Sequence, residues 1–241
     1  MIKAVIFDLD DTLYDEMQFV KGGLKKAALH ISKIYKVNRE KTYRLFIKIL
    51  HDHGRGKIFD LALSGLGLPV NRQILDKLVS VYRYNDAKLR PFKETIPILF
   101  YLRHKGYKVA LLTDGNSRVQ RHKVRMLGIE PFFDCLVYSR WHGIDFEKPN
   151  QLIYKKCLKK MGLEPYDAIY VGDNPSKDFI GAKELGIRTL MLKNKRRNTA
   201  RITGGYEAEY IVSSLGGIPA VIRMIDKQTG VSYGKNHKIN R

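Results

Sequence analysis

Lys3-Ala4-Val5-Ile6-Phe7 runs directly into Asp8-Leu9-Asp10-Asp11-Thr12-Leu13, so an apolar stretch turns acidic in a single step. A short apolar run without alternation is the pattern of a strand buried on both faces of a parallel sheet. Polar residues at its carboxyl end stand where such sheets bind ligands. The same pattern recurs along the chain. Lys108-Val109-Ala110-Leu111-Leu112 ends in Thr113-Asp114-Gly115, and Ala168-Ile169-Tyr170-Val171 ends in Gly172-Asp173. Cys135-Leu136-Val137-Tyr138, Thr189-Leu190-Met191-Leu192 and a short Tyr210-Ile211-Val212 complete the set.

Segments of 3.6-residue period alternate with these runs and predict helices over 97–102, 118–127, 152–161 and 177–185. Each is followed by a glycine stop, at Gly106, Gly128, Gly162 and Gly186. Strands alternating with helices predict an α/β fold, a doubly wound, mostly parallel Rossmann-like sheet. The gap between the first two strands is too long for a simple crossover. It carries helical patterns over 20–35, 39–51 and 72–84, punctuated by Gly54, Gly56, Gly65, Gly67 and Pro69. The expected organisation is an α/β core of residues 1–14 and 91–226, an inserted all-helical cap of 15–90, and a basic C-terminal tail of 227–241 that need not be ordered. A cap entered just after the acidic cluster suits a lid.

Composition narrows the classes. The chain has 241 residues, 44% hydrophobic and 28% charged, enough apolar material for a core. No apolar run reaches membrane-spanning length, so no membrane partner is expected. The N-terminus lacks a signal peptide's apolar stretch, and the two cysteines, Cys135 and Cys157, read as reduced core thiols. A cytoplasmic location follows from these absences. The formal charge of +20 admits a nucleic-acid partner. Its cations are scattered, however, through the twenties and thirties, Arg121, Lys123, Arg125, the run 193–197 and the tail, without an aromatic stripe, so a solvated basic surface is favoured.

Chemistry gathers at the strand ends. Asp8 and Asp10 offer a hard oxygen site suited to Mg²⁺, and equally fit a nucleophile beside a proton shuttle; alone, they also fit an exposed acidic turn. Thr113-Asp114-Gly115 supplies a hydroxyl and backbone amides that can approach an anion. Lys148, before Pro149, places an ammonium where it can neutralise a phosphoryl group. Asp173 and Asp178 flank a helix start.

Taken in order, Asp8-Leu9-Asp10-Asp11-Thr12, Thr113, Lys148 and Asp173 with Asp178 resemble the four motifs of the haloacid dehalogenase-like superfamily, spanning most of the chain. The resemblance implies that Asp8 attacks phosphorus and Asp10 is the general acid/base. It implies Mg²⁺ held by Asp8, the Asp10 backbone carbonyl and Asp173. Thr113 and the Asp114 amide would bind phosphoryl oxygens, and Lys148 would offset charge, positioned by Asp178. The insertion looks like a helical cap of the first cap class. True dehalogenases lack the second aspartate, so Asp10 points to phosphoesters, with a small phosphorylated metabolite of the nucleotide or sugar phosphate class as partner. Two alternatives stand: a phosphomutase, although Asp11 occupies the position where those enzymes usually carry Gly, and a basic nucleic-acid-binding or scaffold protein on a retired phosphatase core. In the cap, Lys21, Lys25, Arg55 and Lys57 fit an anionic leaving group and, on a surface of this charge, equally fit plain solvated cations.

Overall fold

The structure, a computed structural model, describes residues 1–193 and 204–235. It divides into two compact units, Met1–Asp15 with Arg90–Arg241, and Glu16–Leu89. The smaller unit holds four helices, α1 (Met17–Tyr35), α2 (Arg39–His53), α3 (Ile58–Gly65) and α4 (Arg72–Arg83). They enclose a core of Val20, Leu24, Ala27, Phe46, Phe59, Leu63, Ile74 and Leu78. Asn38 and Asn71 cap α2 and α4 through their side-chain oxygens. Helix α3 lies where the sequence shows only glycine punctuation. Its Ile58, Phe59, Ala62 and Leu63 are buried, so tertiary packing carries a helix too short to stand alone.

In the larger unit the strands are β1 (Ala4–Phe7), β2 (Lys108–Thr113), β3 (Cys135–Tyr138), β4 (Ala168–Gly172), β5 (Arg188–Leu192) and β6 (Tyr210–Val212). They form one sheet in the order β3-β2-β1-β4-β5-β6, with every pairing parallel. The helices are α5 (Thr95–His104), α6 (Ser117–Leu127), α7 (Gln151–Met161), α8 (Pro175–Asp178), α9 (Ile180–Glu184) and α10 (Ile218–Lys235). All four residues of β1 are buried, as its unbroken apolar run requires. Cys135 and Cys157 are free and buried in the same apolar cluster as Ile6, Leu112 and Tyr170.

Two details differ from the sequence expectation. The single helix expected over 177–185 is two short ones, broken at Phe179, whose side chain is fully buried. The C-terminal helix α10 continues to Lys235, into the stretch expected as a tail, anchored upstream by buried Val221, Ile222 and Ile225. Residues 236–241 and most of the basic run 193–197 lie outside the described residues. Among the described residues no helix is long and apolar enough to cross a membrane.

Register positions the chemistry. Phe7 stands opposite Leu111 on one side and Val171 on the other. The next residue, Asp8, therefore emerges level with the ends of β2 and β4, and its amide donates to the Val171 carbonyl at 2.9 Å. Beyond β1 the Leu13 amide returns to the Leu9 carbonyl at 3.0 Å, with Asp11 at φ 59°. Left-handed backbone is one that Asp tolerates better than most side chains. The chain leaves and re-enters this unit side by side, Phe92 N–H donating to the Leu13 carbonyl at 3.0 Å and the Thr95 hydroxyl to the same oxygen at 2.7 Å.

Three loops at this end finish in asparagine, and each asparagine caps the next helix. The Asn116 side chain accepts from the amides of Arg118 and Val119, Asn150 from Leu152, and Asn174 from Ser176. Capping satisfies helix-start amides and fixes where each loop ends.

Gly181, on α9, touches the Lys148-Pro149 segment so closely that any Cβ would collide with the Pro149 carbonyl. Gly181→Ala should cost about 1–3 kcal/mol in denaturant unfolding, since an overpacked interior must shift backbone. Gly65→Ala, whose methyl would only touch the Leu45 side chain, should be neutral or stabilising by up to about 1 kcal/mol. A Gly181→Ala protein as stable as its parent would contradict this packing.

Candidate active site

Lys148 has no exposed side-chain surface, yet it carries a charge. Its Nζ donates to Asp8 Oδ1 at 2.6 Å, Asp178 Oδ1 at 2.7 Å and Tyr170 Oη at 2.7 Å. An ammonium has three donors, so these partners use all of them. Burial works against its charge, but Asp178 and Asp8 outweigh burial and hold the Lys148 pKa well above its ordinary value. Asp178 in turn takes the Asn174 amide on Oδ2 at 2.8 Å. Burial raises its pKa; Lys148 and Lys177 more than reverse that and keep it an anion. Burial pushes the Asp8 carboxyl up to about 6, against the pull of Lys148 and with the push of Asp178.

Asp10 sits in a separate network. Its Oδ1 receives the Tyr14 hydroxyl at 2.6 Å and Lys123 Nζ at 2.9 Å. Its Oδ2 receives Lys123 Nζ at 2.9 Å and Gln120 Nε2 at 2.8 Å. Burial alone would raise this carboxyl, but Lys123 and the hydrogen bonds from Lys123, Tyr14 and Gln120 depress it below the usual carboxylate value. Gln120 also donates to Thr113 Oγ1 at 2.7 Å.

The loops after β2 and β3 are stitched together. The Lys148 amide donates to Asp114 Oδ1 at 3.2 Å, and Lys177 Nζ lies 3.6 Å from Asp114 Oδ2. Glu147 Oε1 accepts the Gly115 amide at 2.9 Å and Arg140 Nε at 2.7 Å. Thr113 and Asp114 are thereby held beside the Lys148 cluster.

The donor set fits a hard divalent cation. Carboxylate oxygens of Asp8, Asp173 and Asp178 all lie within 4.8 Å of one another, and all three residues are buried. A single buried ammonium, Lys148, lies among three buried carboxylates, and a further positive charge is what such a cluster lacks. Asp178 is committed through both oxygens to Lys148 and Asn174. That leaves Asp8 and Asp173 as the side chains able to reach a metal. The Asp10 side chain faces Lys123 and Gln120, so any part it plays at a metal comes through its backbone carbonyl.

Asp8, Asp10, Thr113, Asp114, Lys148, Asp173 and Asp178 thus stand at the carboxyl end of the sheet or in the loops that follow, whereas Lys21, Lys25, Arg55 and Lys57 belong to the smaller unit. Asp8, Lys148 and Asp178 are bonded together, and Asp10 is joined to Thr113 through Gln120. Six participants were given no role from sequence: Tyr14, Gln120, Lys123, Glu147, Arg140 and Tyr170. A signal for Gln120 and Lys123 exists, because they share the buried stripe of α6 with Val119, Val124 and Leu127. Polar side chains at apolar-face positions need buried partners.

Known proteins bear on this geometry. Residues 2–186 match the model of the haloacid dehalogenase-like hydrolases. An enzyme of Methanocaldococcus jannaschii named glyceraldehyde 3-phosphate phosphatase is 34% identical over 232 residues, covering 94% of this chain and all of its own. The N-acylneuraminate-9-phosphatase of Homo sapiens is 23% identical, over 96% of this chain and 98% of its own. The crystal structure of a HAD phosphatase from Thermococcus onnurineus superposes with a TM-score of 0.61 at 26% identity, covering 92% and 98% of the two chains. With the parallel sheet carrying the motif residues at its carboxyl end, this chain belongs to the haloacid dehalogenase-like hydrolase family and is one of its phosphatases.

Proposed function

We propose that the chain hydrolyses the phosphate monoester of a small sugar-type metabolite, triose phosphates first, through a phosphorylated Asp8. The observation that carries the reading is the buried Lys148 ammonium bonded to Asp8 at 2.6 Å. A lysine with no solvent contact, in a pocket of carboxylates, is arranged to receive more negative charge at Asp8, as a phosphoryl group would bring.

An oxygen of the Asp8 carboxylate attacks phosphorus, and the bond to the sugar oxygen breaks. Asp10 takes up a proton from water as the dianionic substrate binds, and gives that proton to the departing alkoxide. Water then attacks the same phosphorus, Asp10 takes back a proton, and the Asp8–phosphorus bond breaks to release inorganic phosphate. Thr113 and the Asp114 amide bind phosphoryl oxygens, and Asp178 keeps Lys148 in place. Mg²⁺ would be held by Asp8, Asp173 and the Asp10 carbonyl, and supplies charge neutralisation at phosphorus when bound. Asp10, held as an anion by Lys123, is prepared for the second half, where a base is needed. The sugar phosphate class rests on the names of the relatives above, and the triose on the more similar of them.

A panel of phosphorylated metabolites tests the substrate class. Glyceraldehyde 3-phosphate and related short sugar phosphates should exceed nucleoside monophosphates in kcat/KM by about tenfold or more, a difference of about 1.4 kcal/mol at the transition state. A clear preference for nucleotides would overturn the class. Chelation should abolish turnover and added Mg²⁺ restore it. The Mg²⁺ needed for half-maximal rate should climb as pH drops below about 6, because protons then compete with the metal for Asp8. Full turnover in excess chelator would contradict the metal assignment. With an aryl phosphate, Asp10→Asn should still release a burst of phenol and then turn over slowly, since a good leaving group needs no acid whereas the water step needs a base. Equal loss of burst and steady rate would remove Asp10 from that role.

A further inference from the structure

We propose that Gln120 is a positioning residue that fixes the hydrogen-bond direction of the Thr113 hydroxyl and holds Asp10 in register with it. The proposal rests on the functional reading above and adds a part that the four motifs do not contain.

Gln120 is 2% exposed, on the inner face of α6. A buried amide is costly unless its polar atoms are used. Its nitrogen contacts Asp10 Oδ2 at 2.8 Å and Thr113 Oγ1 at 2.7 Å, one contact for each N–H. The direction of these bonds is not arbitrary. Lys123 and Tyr14 already donate to Asp10, which as an anion can only accept, so the side of Gln120 that faces it must be the nitrogen. The other N–H then points into Thr113 Oγ1 and occupies a lone pair there. A threonine hydroxyl that accepts from Gln120 keeps its own proton for another partner, which in this site is a phosphoryl oxygen. An amide turned the other way would take that proton itself and set a lone pair toward the phosphate.

The same amide couples two functions. Thr113 binds phosphate and Asp10 moves protons, and Gln120 bonds to both. Asp10 receives four donor contacts in all, from Tyr14, Gln120 and twice from Lys123. A carboxylate has about four lone-pair sites, so one of these donors gives way when Asp10 takes a proton.

The test is a double-mutant cycle read as competitive inhibition by inorganic phosphate, with phosphate binding followed in parallel by calorimetry. Gln120→Met keeps the length and removes the donors; it should weaken phosphate by about tenfold. Combined with Thr113→Val, which removes the hydroxyl that Gln120 orients, it should weaken phosphate less than about twofold further, because coupled residues are not additive. Gln120→Glu, which keeps the shape but turns acceptors and a negative charge toward Asp10 and the phosphate, should weaken phosphate more than Gln120→Met does. Gln120→Leu, which also removes the donors, serves if the Met variant does not fold. A merely structural role would give equal losses in both backgrounds. Equal losses, or unchanged phosphate affinity in Gln120→Met and Gln120→Glu, would overturn the proposal while leaving the phosphatase reading intact. A parent protein that hydrolyses no phosphomonoester would overturn both.

Discussion

Lys148 is the one group on which the rest of the site depends. Its ammonium joins Asp8 at the end of β1, Tyr170 within β4 and Asp178 in α8, all of them buried. A buried ion pair is seldom a net source of stability, because desolvation costs about what the attraction returns. Removing one partner leaves a bare buried charge and costs about 3–5 kcal/mol. The cluster is therefore better understood as fixing position: it obliges β1, β4 and the 147–149 loop to keep their places so that every charge has a partner. The tight approach of Gly181 to Pro149 serves the same segment from the other side.

Asp8 and Asp10 are two residues apart and chemically alike, yet their surroundings separate them. Asp8 shares one lysine with Asp178, and burial lifts it to about 6. Asp10 faces Lys123 with three further contacts from Tyr14, Gln120 and Lys123 itself, and stays well ionised. Environments that push two carboxyl groups apart are how a site assigns different jobs to the same functional group. The separation is built by the turn after β1, where Asp11 takes a left-handed conformation and the chain reverses, sending Asp10 toward α6.

The strands were legible because a sheet buried on both faces leaves unbroken apolar runs, and all six runs read from the sequence became strands. Asp8, Thr113 and Asp173 were legible because they sit where those runs stop, and Lys148 because it stands before Pro149 at a helix entry. What escaped was whatever depends on neighbours distant in sequence. Helix α3 exists through burial of Ile58, Phe59, Ala62 and Leu63, and local pattern shows only the glycines around it. The break at Phe179, whose ring is fully buried, falls where the sequence holds no breaker residue. Tyr170 reads as one more apolar residue in a core strand, and only the folded chain reveals that its hydroxyl meets Lys148. Gln120 and Lys123 were visible as residues but not as partners of Asp10, since 110 positions or more separate them along the chain.

The most direct test of the account is to trap the covalent intermediate. The protein is mixed with Mg²⁺ and an aryl phosphate and quenched in acid within the first turnover. The acyl phosphate is reduced with borohydride, and the altered residue is located by peptide mass spectrometry. The account predicts reduction at Asp8 alone. No altered residue, or one at Asp10, Asp114 or Asp173, would contradict it.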